Sequence, residues 1–373
     1  MSRLSTLLGA SKLADPSAAI RELRAAIDQP EMKVVLFFCS SSYDLRELGS
    51  AIRDAFPCPV VGCTSAGQIG ATGYQRGGIT AASLASDELV ALPYLISPLS
   101  ECRERAVQVG ARVRTRLEDL PPGKRAFGLI LVDGLSQAEE SLAAALYQSL
   151  GNIPIVGGSA GDDDLKFERT SVYWNGEFFS DAALFTLFET SRPFSAFKLQ
   201  NFGPTDKKLV VTAADPERRV VKEFNGLPAA EAFAELLGLS VEQLDSNVFS
   251  SNPVMLRIGS DEYVRSIQKV NPDLSVTLYC AIDEGLVLTV GKSMEPLATL
   301  AKGFREATKD IGTPSLVIGC DCILRRLDLE QGHLDGQAGD FLARNKVIGF
   351  STYGEQFNGV HVNQTFTGVA LGE

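Results

Sequence analysis

One short phrase occurs three times in this chain. Residues 60–67 read VVGCTSAG, residues 155–161 read IVGGSAG, and residues 347–354 read VIGFSTYG. Each is an apolar run that stops at glycine and passes into small and hydroxyl residues. The surroundings recur as well, which marks a duplicated structural unit. In the first copy, MKVVLFFCS (32–40) has the pattern of a buried strand. YDLRELGSAIRDAF (43–56) then carries Leu45, Leu48, Ile52 and Phe56 at helical spacing, and Cys58-Pro59 breaks the helix before PVVG returns as a strand. In the second copy FGLILVDG, AEESLAAALYQSLG and PIVGG repeat the order. The third is looser, with SLVIGCDC, GQAGDFLARN and KVIGFS. Strand–helix–strand units of this length imply parallel pairing within each copy.

After each copy the periodicity changes to two. Asn175-Gly176 and Asn358-Gly359 sit between alternating runs and predict hairpins, and Gly77-Gly78 is expected to play that part in the first copy. The fold class expected is therefore α/β, in two domains with mixed sheets built from repeated strand–helix–strand–hairpin units.

Different material separates the second and third copies. It comprises several antiparallel-looking strands, a helix entered at Pro228 and ended at Gly238, and a long amphipathic helix over 295–312. NFGPTDKK and ADPERR interrupt the apolar pattern, which places a boundary near residue 210 and gives domains of 1–210 and 211–373. A chain of 373 residues suits two cores.

Composition narrows the function. A net charge of −11 argues against nucleic acid or an anionic membrane as the main partner. No stretch approaches the roughly 20 apolar residues of a membrane span, and the N-terminus lacks the pattern of a signal peptide. Seven cysteines without framework spacing are expected to be reduced, which points to the cytoplasm. P-loop, dinucleotide, G-x-S-x-G and H-E-x-x-H motifs are absent, so neither a nucleotide cofactor nor an enzyme is expected. An enzyme acting on a small polar substrate stays as the rival class.

The strand ends are where a ligand would be gripped. Gly62, Cys63, Thr64, Ser65, Gly157, Ser159, Gly349 and Ser351 combine close backbone approach with hydroxyl groups. The same glycines are equally what a tight, closely packed repeat needs. Asp162, Asp163 and Asp164 follow the second phrase, and Tyr353 and Glu355 close the third. The two histidines, His333 and His361, are the candidate axial ligands should haem be bound. Cys320-x-Cys322 with Cys63 is a weaker thiolate set, and no C-x-x-C-H exists for covalent haem attachment.

Taken in order, VVGCTSAGQIG, PIVGGSAGD, FNGLPAAEAF, LVIGCDCILRR and VIGFSTYGE resemble the FIST family, bacterial sensory proteins with paired N- and C-terminal regions. The resemblance runs from about Met32 to Leu371. It implies signal transduction through small-ligand binding, with amino acids as the proposed ligands. On that reading a carboxylate such as Asp162 or Glu355 would take the ammonium group, and Arg257 or Arg325 the carboxylate. A free-standing chain is similar to a haem-binding, nitric-oxide-sensing subgroup that regulates a partner histidine kinase. The expected partners are thus a small molecule and a signalling protein.

Overall fold

A computed structural model describes residues 4–151 and 153–373. It divides into two compact units. The first runs to Leu199 and resumes at Ala301–His361 and Phe366–Glu373; the second comprises Gln200–Leu300 with Val362–Thr365. All three copies of the phrase lie in the first unit.

Each copy has one plan, longer than the sequence pattern suggested. An edge strand and a helix precede the expected strand–helix–strand, and a hairpin and a closing strand follow it. In the first copy these are Ser5–Ser11, Pro16–Ile27, Met32–Cys39, Leu45–Ala55, Val60–Thr64, the hairpin Gln68–Gly70 and Gly73–Gln75, and Ile79–Ala85. In the second they are Val90–Ile96, Cys102–Glu118, Arg125–Val132, Glu139–Leu150, Ile155–Ser159, the hairpin Val172–Trp174 and Glu177–Phe179, and Ala183–Thr190. The third has its edge strand at Phe194–Gln200. After the intervening segment come Pro296–Thr308, Pro314–Cys322, two helices at Ile323–Gln331 and Asp335–Arg344, Val347–Thr352, the hairpin Glu355–Phe357 and Val360–Val362, and Thr365–Gly372.

Central and return strands pair in parallel in all three copies, as expected from the connecting helices. In each copy the return-strand glycine presses on the central strand. A Cβ at Gly62, Gly157 or Gly349 would overlap the carbonyl oxygen of Phe37, Ile130 or Gly319. These glycines are required first by packing. The first hairpin lies at 68–75, not at Gly77-Gly78. Those two glycines instead lead into the closing strand with φ of 72° and 80°.

The hairpins do not stay with their own copies. The first pairs with the return strand of the third, Gly349 opposite Ile69. The third pairs with the return strand of the second, Gln356 opposite Gly157. The second pairs with the return strand of the first, Val172 opposite Cys63. Three six-stranded mixed sheets are thus closed in a cycle. Their inner faces share one core, where Phe38 stacks on Phe350 at 4.4 Å and Leu131, Val156 and Ile318 are fully buried. A cyclic exchange of this kind ties residues far apart in sequence and leaves no copy able to complete its sheet alone.

The second unit is built around one antiparallel sheet that includes the 14-residue strand Phe202–Asp215. Its apolar face packs on the helix Ala229–Leu237, which begins after Pro228 and ends at Gly238 in the left-handed conformation.

Candidate functional site

The three strand ends meet through a ring of backbone bonds that follows the same cycle. Ala66 N–H donates to the Ser351 carbonyl at 3.0 Å, Tyr353 N–H to Ser159 at 3.0 Å, and Gly161 N–H to Thr64 at 3.3 Å. In return, Ser351 N–H donates to Gly67, Ser159 N–H to Gly354 and Thr64 N–H to Ser171, at 2.7, 2.8 and 3.0 Å. Gly67 and Gly354 occupy equivalent turns, each with φ of 129°. The second copy reaches the equivalent position only at Ser171, because residues 162–170 form an extra loop.

On this common frame the three ends carry different chemistry. At the third, Arg326 donates to Ser351 Oγ and to the Gln75 carbonyl, both at 3.1 Å, and lies 4.9 Å over the Tyr74 ring. Arg325 pairs with Asp321 at 2.7 Å, and Tyr74 hydrogen-bonds to the same carboxylate. Desolvation and the Asp321 charge push the Tyr74 phenol well above its usual range. At the second, Gln356 donates to Ser159 Oγ at 3.0 Å and contacts His361 Nδ1 at 3.2 Å; His361 Nε2 lies 3.7 Å from Glu139. At the first, Ser65 Oγ donates to the Cys39 carbonyl at 3.0 Å and accepts from Gln68 Nε2 at 2.9 Å.

The 162–170 loop covers these ends. Asp162 is 1% exposed and accepts the backbone N–H groups of Phe167, Glu168 and Arg169 at 2.8–3.3 Å. The Tyr353 hydroxyl donates to it as well, and the Tyr353 ring stacks on Phe167 at 4.4 Å. Asp162 is therefore a loop-forming carboxylate whose acceptors are already engaged. Asp163 bonds to Ser40, and burial raises its carboxyl above the usual range.

Most of the sequence-expected residues are thus brought together, but as a closed structural ring. Thr64, Ser65, Ser159, Ser351 and Glu355 are 0–1% exposed, and the Thr352 hydroxyl donates to Glu355. Cys63 is a core residue whose thiol burial pushes upward, with the Cys39 and Cys320 thiols raised in the same way. Arg257 belongs to the second unit, where it is exposed and 3.7 Å from Glu262.

Open space adjoins the ring beside the second hairpin. The carbonyl of Gly176, in the hairpin turn, rests against Gly49 of the helix Leu45–Ala55. One cavity, of about 400 Å³, is lined by Arg46, Ser50, Arg53, Ser171 and Glu177. A second, of about 500 Å³, also touches Arg53 and holds Trp174, Cys58 and Pro93. The smaller cavity sets two guanidinium groups, two hydroxyls and one carboxylate around a volume suited to a small zwitterion. Its wall residue Ser171 donates its N–H to Thr64 Oγ1 at 3.0 Å, so the cavity touches the ring directly. Arg46 and Arg53 lie seven residues apart on one helix, a spacing that reads in sequence as an ordinary solvated face. That is why the apolar pattern missed them.

The residues present do not fit a haem. His361 is fully buried, with one ring nitrogen near Gln356 and the other near Glu139. His333 is exposed in a turn with φ of 54°. Neither lines the two cavities beside the hairpin. Among the described residues, no group of three or more histidine, cysteine or acidic side chains is arranged to hold a metal, and no helix is long and apolar enough to cross a membrane.

The fold is that of an α/β protein in two units, with three linked mixed sheets in the first and an antiparallel sheet in the second. The chain belongs to the FIST family: the model of the FIST N domain matches residues 33–227 and that of the FIST C domain residues 229–358. FIST domains are sensor domains of signal transduction that bind small ligands. Among solved structures the chain is similar to a cyanuric acid hydrolase from A. caulinodans, with 12% identity, 50% of this chain and 70% of that one covered, and a TM-score of 0.27. A likeness that low carries no argument about activity. No curated protein matches.

Proposed function

We propose that this chain is a cytoplasmic bacterial sensor of an amino-acid-like metabolite, without catalytic activity, that signals by protein contact to a histidine kinase. The observation that carries this reading is the cavity of about 400 Å³ with Arg46 and Arg53 on one wall and Glu177 on the other. Two guanidiniums suit a carboxylate, Glu177 suits an ammonium group, and Ser50 and Ser171 add hydroxyl contacts.

The mechanism follows from where the cavity lies. One wall is a helix of the first copy and the other a hairpin donated by the second. A ligand bridging them favours one setting of the hairpin against the helix, and the Ser171–Thr64 contact passes that setting to the ring. The kinase reads the resulting surface.

The alternative of a haem receptor for nitric oxide requires His361 to leave Glu139 and Gln356, or an exposed His333 to gain an apolar slot. The metabolite reading requires neither. Thermal-shift screening against free amino acids and small amines tests it. A ligand at 100 times its Kd adds about 2.7 kcal/mol to stability; no stabilisation by any of them would sink the reading.

A further inference from the structure

Asp163 poses a separate problem of charge. Its carboxylate accepts from the Ser40 hydroxyl, and its N–H donates to Ser41 Oγ at 3.3 Å. The amide of Gln68, a residue with 0% exposure, reaches both the Asp163 carboxylate and Ser65 Oγ. Asp163 Oδ1 and Gln68 Oε1 are both shielded from solvent and receive no hydrogen bond. Among the described residues no lysine or arginine pairs with Asp163. The charges that act on it include the neighbouring Asp164, a like charge. The groups that feel the Asp163 charge in turn are Cys39 and Tyr43, neither of them a cation. A half-buried carboxylate with one oxygen shielded from solvent and no counter-charge is costly, as is a buried amide oxygen without a donor.

We propose that Asp163, Gln68 and the hydroxyls of Ser40 and Ser41 form a binding site for a monovalent cation, either an alkali ion or ammonium. Every donor atom is a hard oxygen, which suits such ions. One carboxylate among neutral oxygens balances a single positive charge, whereas a calcium site gathers several carboxylates. The ion would join the first strand end to the 162–170 loop, so the state of the loop would follow the cation supply. This site is independent of the arginine-lined cavity, and its test uses no metabolite.

The test is the thermal stability of the full chain in sodium, potassium, ammonium and choline chloride at equal ionic strength. At least one small cation should give a saturable rise in Tm over choline, on the order of 4 °C. Asp163→Asn and Gln68→Leu should each abolish that rise. Equal Tm values in all four salts would overturn the proposal, as would the same rise in both variants. Should neither variant fold, the sodium NMR linewidth of the wild-type protein decides. Broadening relieved by potassium or ammonium supports the site, and an unbroadened line overturns it.

Discussion

Thr64 and Ser171 hold each other at both ends of one contact: Thr64 N–H donates to the Ser171 carbonyl, and Ser171 N–H donates to Thr64 Oγ1, each at 3.0 Å. The residues are 107 positions apart and belong to different copies. The pair fixes where the second hairpin enters the sheet of the first copy, and it connects the arginine-lined cavity with the ring. Thr64→Val keeps the shape but leaves the Ser171 N–H without its acceptor. The expected cost is about 1–3 kcal/mol, measured by urea unfolding.

The return-strand glycines should tolerate no side chain. Gly349→Ala places a methyl group against the Gly319 carbonyl within a parallel pair. Such overpacking costs about 1–3 kcal/mol or more. Gly285→Ala, at a turn where a Cβ meets nothing within 4 Å, should cost through its φ of 83° alone. Equal costs at the two sites would contradict the packing role of Gly349.

Asp163 makes stability depend on pH in a defined direction. Burial raises its pKa in the folded state, so the folded protein holds the proton more tightly than the unfolded chain does. That contribution is fully present below the unfolded carboxyl pKa of about 3.9 and is lost as pH rises through the higher folded value. With choline as the only added cation, Asp163→Asn should gain stability relative to the wild type as pH rises across that window. Urea midpoints measured at several pH values check this; a difference that stays constant would refute it.

Haem should find no histidine ligand in this conformation. Titration of the purified protein, and purification from cells supplied with iron and haem precursor, should give no histidine-ligated Soret band. A band that disappears in His361→Ala would show that the imidazole leaves Glu139 and Gln356, and would restore the nitric-oxide reading.

Much of the architecture was legible in the sequence. Apolar runs ending at glycine located the central and return strands, and the Asn-Gly pairs located two of the three hairpins. The edge strand Ser5–Ser11 and the helices Pro16–Ile27 and Cys102–Glu118 were not seen. The last of these is rich in arginine and buries only small or medium residues such as Ala106, Val109 and Val113. The exchange of hairpins had no local signal, because a strand's alternation records which face is buried and not which neighbour it pairs with. The same limit hid the chemistry. Arg326 and Tyr74 meet across 252 positions, and Asp163 and Ser40 across 123. Thr64, Ser159 and Ser351 were found, but only the assembled structure reveals that they are spent on one another's copies.

Trp174, the single tryptophan of the chain, stands on the second hairpin three residues before Glu177 and lines the neighbouring cavity that shares Arg53, and its emission reports the central claim most directly. Titration with free amino acids should change that emission saturably for at least one of them. The affinity should fall by about tenfold or more in Arg46→Ala and in Glu177→Gln, as expected for lost charge-assisted bonds of about 1.5–3 kcal/mol. Emission indifferent to every amino acid, or affinity unchanged in both variants, would contradict the account.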